Sequence, residues 1–84
     1  MENHEEKAAI IGIFIKDFNA VSKVNGILHD FAGDIIGRIG IPCREKDLHV
    51  ISIILSTTPE RISALSGKLG RIEGVTAKAM QANL

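Results

Sequence analysis

Four side chains in this 84-residue chain have the chemistry of soft-metal ligands: the single cysteine, Cys43, and the three histidines, His4, His29 and His49. Thiolate and imidazole are the donors that zinc, nickel and copper select. The spacings form no closed motif, neither C-x-x-C nor H-x-H nor H-x-x-x-H, so a metal site would draw Cys43, His49 and His29 from different elements or from two subunits. The same residues read equally well as a hairpin cysteine, a half-exposed strand histidine and a helix-end histidine. Cys43 and His49 could also serve as nucleophile and base. That chemistry needs a third group to orient the base and donors for an oxyanion, and the sequence offers neither, so the expectation is a protein that is not an enzyme. Arg38, Arg44, Lys46, Arg61, Lys68 and Arg71 could hold a carboxylate or phosphate. Glu45, Asp47, Glu60 and Glu73 interleave with them, as on a mixed solvated surface. No Trp or Tyr is present to stack on exposed bases, which argues against recognition of single-stranded nucleic acid.

Ten basic residues stand against ten acidic ones. That balance gives no general attraction to nucleic acid or anionic membrane, and only a local patch could bind DNA. One cysteine excludes an internal disulfide and fits the reducing cytoplasm. The residues from Met1 to Lys7 are acidic and polar where a secretory signal is basic and then apolar. The longest apolar runs, Ile10 to Ile15 and Val50 to Leu55, fall far short of the ~20 residues that span a bilayer. The expected location is cytoplasmic, away from the membrane. A chain this short holds one core and gains from association, so the expected organisation is a disordered polar arm over 1–7 and a single domain over 8–84, with a homo-oligomer as the working form.

Any of these side chains must be positioned by the elements around it. The stretch from Ala8 to Ile15 is β-branched and nearly continuously apolar, the pattern of a strand covered on both faces. From Asn19, a candidate N-cap, the spacing changes to Val21, Val24, Leu28, Phe31 and Ile35, one face of a helix that ends near Gly33. Ile35 to Ile41 alternates as a second strand stopped by Pro42. Cys43 to Asp47 is a charged connector, and Leu48 to Leu55 a third strand, so the second and third form a hairpin. Thr57 or Thr58 caps a second helix with Pro59 in its first turn, and Glu60 would close a capping box if Thr57 is the cap. Ile62, Leu65 and Leu69 form its apolar stripe, Gly70 is placed as its C′ residue, and Val75 to Ala79 is a weaker fourth strand. The order is βαββαβ. With connections this short it specifies an α+β, ferredoxin-like sandwich: a four-stranded antiparallel sheet with both helices on one face and strands one and three in the centre.

That topology leaves one sheet face without helices, although both faces of the central strands are apolar. Strand one offers Ile11, Ile13 and Ile15 on one side and Ile10 and Phe14 on the other; strand three offers Val50 and Ile54 against Ile51, Ile53 and Leu55. Monomers tolerate few such patches. The expectation is a dimer or tetramer joined through the sheet, with Ile10, Phe14, Ile51, Ile53 and Leu55 at the interface. Strand two should lie at an edge, which must be paired, covered or blunted. Gly37 and Gly40 open it to close approach, Arg38 offers a planar donor fork, and Pro42 ends it. The expected functional edge is therefore Gly37, Arg38, Gly40 and Pro42, joined by Ser66 and Gly67 from the second helix, for a neighbouring subunit or a small anionic molecule, and the module as a whole is expected to sense such a ligand or a partner regulatory protein. No cofactor is indicated.

Three blocks carry a resemblance: Val24-Asn25-Gly26-Ile27-Leu28-His29-Asp30; Ile35-Ile36-Gly37-Arg38-Ile39-Gly40-Ile41-Pro42 with Arg44-Glu45-Lys46; and Ile62-Ser63-Ala64-Leu65-Ser66-Gly67-Lys68-Leu69-Gly70 followed by Glu73-Gly74-Val75. In order and spacing they resemble the regulators of the iron-only hydrogenase system, over residues 10–78. The resemblance implies a small ACT-like domain, similar to the C-terminal regulatory domain of the nickel-responsive repressor, and a cytoplasmic oligomeric transcriptional regulator. It does not carry the repressor's nickel site across, because the H-x-H pair has no counterpart here. Nor do seven polar residues before Ala8 make the ribbon-helix-helix arm that binds an operator, so direct sequence-specific DNA binding is not expected.

Overall fold

The computed structural model describes residues 5–82. Along the chain come β1 (Lys7–Ile15), α1 (Val21–Asp30), β2 (Ile35–Cys43), β3 (Leu48–Thr57), α2 (Pro59–Gly70) and β4 (Val75–Gln81), with short 3-10 turns at Phe18–Ala20, Ala32–Asp34 and Arg44–Lys46. The sheet order is β2-β3-β1-β4, every neighbouring pair antiparallel. This is the ferredoxin-like arrangement, with β1 and β3 central. The polar arm expected over 1–7 lies outside the described residues for 1–4, and Lys7 already belongs to β1.

Register decides which side chains share a face, because directly paired residues project to the same side. Ala9, Ile11 and Ile13 pair with Leu55, Ile53 and Ile51, and all six are buried. They meet Val24 and Leu28 of α1 and Ile62, Leu65 and Leu69 of α2 in one core. Ile51, Ile53 and Leu55 are thus core residues at most 1% exposed, not interface residues. The sequence pattern is apolar on both sides of β3, and only the pairing to β1 tells the sides apart.

Local chemistry sets the helix boundaries. Asp17 begins the turn after β1: its Oδ1 accepts from the Asn19 N–H at 3.0 Å, so Asp17, not Asn19, is the capping side chain, and α1 starts at Val21 without a side-chain cap. At α2 the Thr58 Oγ1 accepts from the Arg61 N–H at 3.3 Å. Thr58 as cap puts Glu60 at N2, one residue short of a capping box, while Thr57 is buried at the end of β3. Gly70 is the last helical residue and Arg71 the C-cap. Pro42 lies inside β2, which an edge strand permits because the missing N–H can face away from β3. A bulge between Ile35 and Gly37 shifts the register of β2.

α2 is tied to the turn before β2 by Arg61, whose Nε donates to Asp34 Oδ2 at 2.7 Å while its Nη2 lies 2.7 Å from the same oxygen as an ion pair. The same guanidinium lies 4.7 Å from the Phe31 ring centroid, with the Lys68 ammonium 5.7 Å from it. Gly74 closes the far end: its carbonyl accepts from the Lys16 N–H at 2.7 Å. It holds φ +82, and a Cβ there would come within 2.8 Å of Asp17 Cβ. Gly74→Ala should therefore lower stability by about 1–3 kcal/mol. Gly40→Ala, whose new methyl would meet only ordinary contacts at 3.6 and 3.8 Å, should stay within about 0.5 kcal/mol of the wild type. Urea midpoints of the two variants check both expectations.

Candidate functional site

The helix-free face is built from alternate residues of all four strands. One cross-strand row runs Gly37, Ile54, Ile10, Met80; the next Ile39, Ser52, Gly12, Lys78; a third Ile41, Val50, Phe14, Thr76. The large side chains stand well out of the sheet: Ile10 is 40% exposed, Ile54 44%, Phe14 46% and Ile39 64%. Ile41 and Met80 are exposed as well. Lys78 is the one charged side chain in these rows, and it sits on β4 at the sheet edge. Ser56 at the end of β3 donates to Glu6 Oε1 at 3.3 Å, placing a polar rim beside the apolar centre. Of the five interface residues expected from sequence, Ile10 and Phe14 lie on this face, and their cross-strand partners Ile54 and Val50 take the place of Ile51, Ile53 and Leu55.

A separate cleft of about 490 Å³ opens at one end of the sheet. β1 and β2 both run antiparallel to β3, so the turn after β1 and the connector after β2 emerge at the same end. Ile15, Lys16 and Phe18 form one wall; Pro42, Cys43, Arg44, Asp47, Leu48 and His49 form the other. Phe18 is 79% exposed. His49 pairs with Ile15 and Pro42, and its Nδ1 is buried without a hydrogen-bond partner among the described residues. Asp47 takes the left-handed conformation, φ 50 and ψ 47, that turns the connector back into β3.

The structure scatters the ligand site expected from sequence. Pro42 lines the end cleft, and Gly40 lies under the His49 ring. Gly37 belongs to the open face. Arg38 points to the helix side, where its Nη2 donates to Asn25 Oδ1 at 3.0 Å beside a shallower hollow with His29. Ser66 and Gly67 lie on α2, which packs chiefly on β4 and β1 at the other side of the sheet. The metal trio is also divided: Cys43 and His49 line the end cleft, His29 lines the other hollow, and His4 lies outside the described residues. Among the described residues no three His, Cys, Asp or Glu side chains converge as metal ligands. Lys16, Phe18 and Leu48 were not among the expected site residues. The signal for them lies in topology, since two segments far apart in sequence must meet wherever two strands run parallel to each other.

A sheet in this order with both helices on one face defines a small ferredoxin-like, ACT-like domain. The particular family is set by comparison: the TM1266-like family model, described as "Iron-only hydrogenase system regulator, putative", matches residues 7–79, and the chain belongs to that family. The solved structure of uncharacterized protein TM1266 from Thermotoga maritima is 39% identical, with a TM-score of 0.90, over 94% of this chain and 100% of that one. The C-terminal domain of the MgtC protein from Mycobacterium tuberculosis shares the fold, with a TM-score of 0.73 at 16% identity, over 98% of this chain and 94% of that one. No curated protein matches the chain. Among the described residues no helix is long and apolar enough to cross a membrane.

A buried imidazole nitrogen without a partner costs about 1–3 kcal/mol. Replacing His49 by Leu should therefore leave stability unchanged or raise it by up to about 1 kcal/mol, read as the urea midpoint; a loss of 2 kcal/mol or more would mean that the ring is held by bonds of its own.

Proposed function

We propose that the chain is a non-enzymatic, cytoplasmic regulatory module of the iron-only hydrogenase system, working as a homo-oligomer joined through its open sheet face and responding to a small ligand or a partner protein. The observation that carries the reading is the open face itself, on which Ile10, Phe14, Ile39, Ile41, Ile54 and Met80 stand exposed. Apolar area of this kind on a small domain marks an association surface. A second copy is the occupant this face suits: a two-fold contact buries the same patch on both copies, apolar centre toward apolar centre, with Lys78 and Glu6 at the rim. The family description supplies the regulatory context.

A regulator that acts by assembling needs no nucleophile or resident metal, only a surface whose occupancy can change. With ten cationic and ten anionic side chains, the isolated protein should bind DNA weakly and lose that binding between low and physiological salt, as expected for a few stray phosphate contacts.

Sedimentation equilibrium tests the assembly. The wild type should show a mass at least twice that of the chain at micromolar concentration. Ile54→Lys and Phe14→Lys should each shift it to the monomer, because burying an unpaired ammonium costs several kcal/mol. Both changes fall on the solvent side of the sheet, so far-UV circular dichroism should be unchanged. A wild type that sediments as a monomer would refute the reading.

A further inference from the structure

We propose that the cleft between the turn after β1 and the connector after β2 binds a small organic anion, a carboxylate or phosphate head carried on an apolar body. The proposal rests on the reading of the chain as a ligand-responsive module and names the place and the chemistry of the response. A volume of about 490 Å³ lies within the range of small-molecule sites, roughly 300–1,000 Å³, and is too small for a folded partner.

The lining has two parts. Ile15, Pro42, Leu48 and the exposed Phe18 give an apolar wall. Lys16 and Arg44 supply two cations against the single carboxylate of Asp47. Neither cation is engaged by another side chain among the described residues. Arg61 is held by Asp34 and Arg38 by Asn25, whereas Lys16 and Arg44 have no ion-pair partner among the described residues. His49 also lines the cleft, with its Nδ1 buried and without a hydrogen-bond partner among the described residues. A guanidinium fork, an ammonium and an imidazole around an apolar wall are the groups that hold an anionic head and shelter the body attached to it.

The test is a set of amide and imidazole NMR titrations of the full chain with three probes: benzoate, phenyl phosphate and inorganic phosphate. Saturable shifts centred on Ile15, Lys16, Cys43, Leu48 and His49, with an organic anion bound more tightly than inorganic phosphate, support the proposal. The two organic probes show which head is preferred. Arg44→Gln and Lys16→Gln, both at exposed positions that leave the core untouched, should each weaken binding about tenfold, the effect of losing one charge-assisted hydrogen bond. Unchanged affinity in both variants overturns the proposal, as does the absence of saturation with all three probes. Inorganic phosphate binding as tightly as phenyl phosphate overturns the apolar part of the site. Sedimentation with and without the bound probe separates the two readings: binding at the cleft with no change in assembly keeps the site and removes the coupling to association.

Discussion

Two helices can cover one face of a four-stranded sheet, and in this chain both faces of the sheet are apolar. Everything else in the structure follows from how that conflict is resolved. β1 and β3 lie in the centre, where each buries one set of alternate residues against α1 and α2. Full burial of an Ile or Leu side chain contributes roughly 1.5–3 kcal/mol, and Ile11, Ile13, Ile51, Ile53, Leu55, Ile62, Leu65 and Leu69 are all essentially inaccessible. The other alternate set has no helix to meet. Ile10, Phe14 and Ile54 are therefore left at 40–46% exposure in a domain whose core is already complete, so their apolar character has no role in that core.

The two ends of the sheet are closed by different means. At the end bearing the start of α2, ionic and aromatic contacts tie the helix down: Arg61 reaches Asp34 and lies over Phe31, joining α2 to the turn before β2. Near the start of β4, the Gly74 carbonyl takes the Lys16 amide, and the absent side chain at Gly74 leaves room for Asp17. The turn after β1 is fixed by this backbone contact, which leaves the Lys16 ammonium and the Phe18 ring free of structural duty. The same economy does not hold at Arg38 and Arg61, each already bonded within the chain. The end cleft sets two cations without an ion-pair partner among the described residues beside an apolar wall.

Much of the fold was legible because its signals are local. The stripe Ile62, Leu65, Leu69, the Thr-Thr-Pro start of α2 and the β-branched runs of β1 and β3 each carry their meaning within a few residues, and the βαββαβ order then leaves few topologies. The candidate sites were less legible because they depend on register and on meetings at a distance. Val50 and Ile54 look no different from Ile51, Ile53 and Leu55 until pairing to β1 assigns them to opposite faces, and a one-residue slip in that pairing exchanges them. Arg38 seemed free for a ligand because Asn25, thirteen residues earlier, could not be seen beside it. Ser66 and Gly67 could be grouped with β2 only while it was unknown that α2 packs over β4 and β1.

The end cleft and the open face meet at one place, and this gives the two proposals a physical connection. Cys43 pairs with Leu48 in the last row of the β2–β3 hairpin, continuing the row series of the open face, and both residues also line the cleft. An occupant of the cleft would therefore touch the margin of the association surface without covering its centre at Ile10, Ile54 and Phe14. Linkage then requires reciprocity: if a bound anion changes the affinity of one copy for another, assembly changes the affinity for the anion by the same factor. A margin contact of this kind would tune association without replacing it, since the apolar rows proposed to drive it lie further along the strands. On the two proposals together, control at the edge of the interface would fall to β2 and β3 at Cys43 and Leu48, and adhesion at its centre to β1 and β3 at Ile10, Phe14 and Ile54.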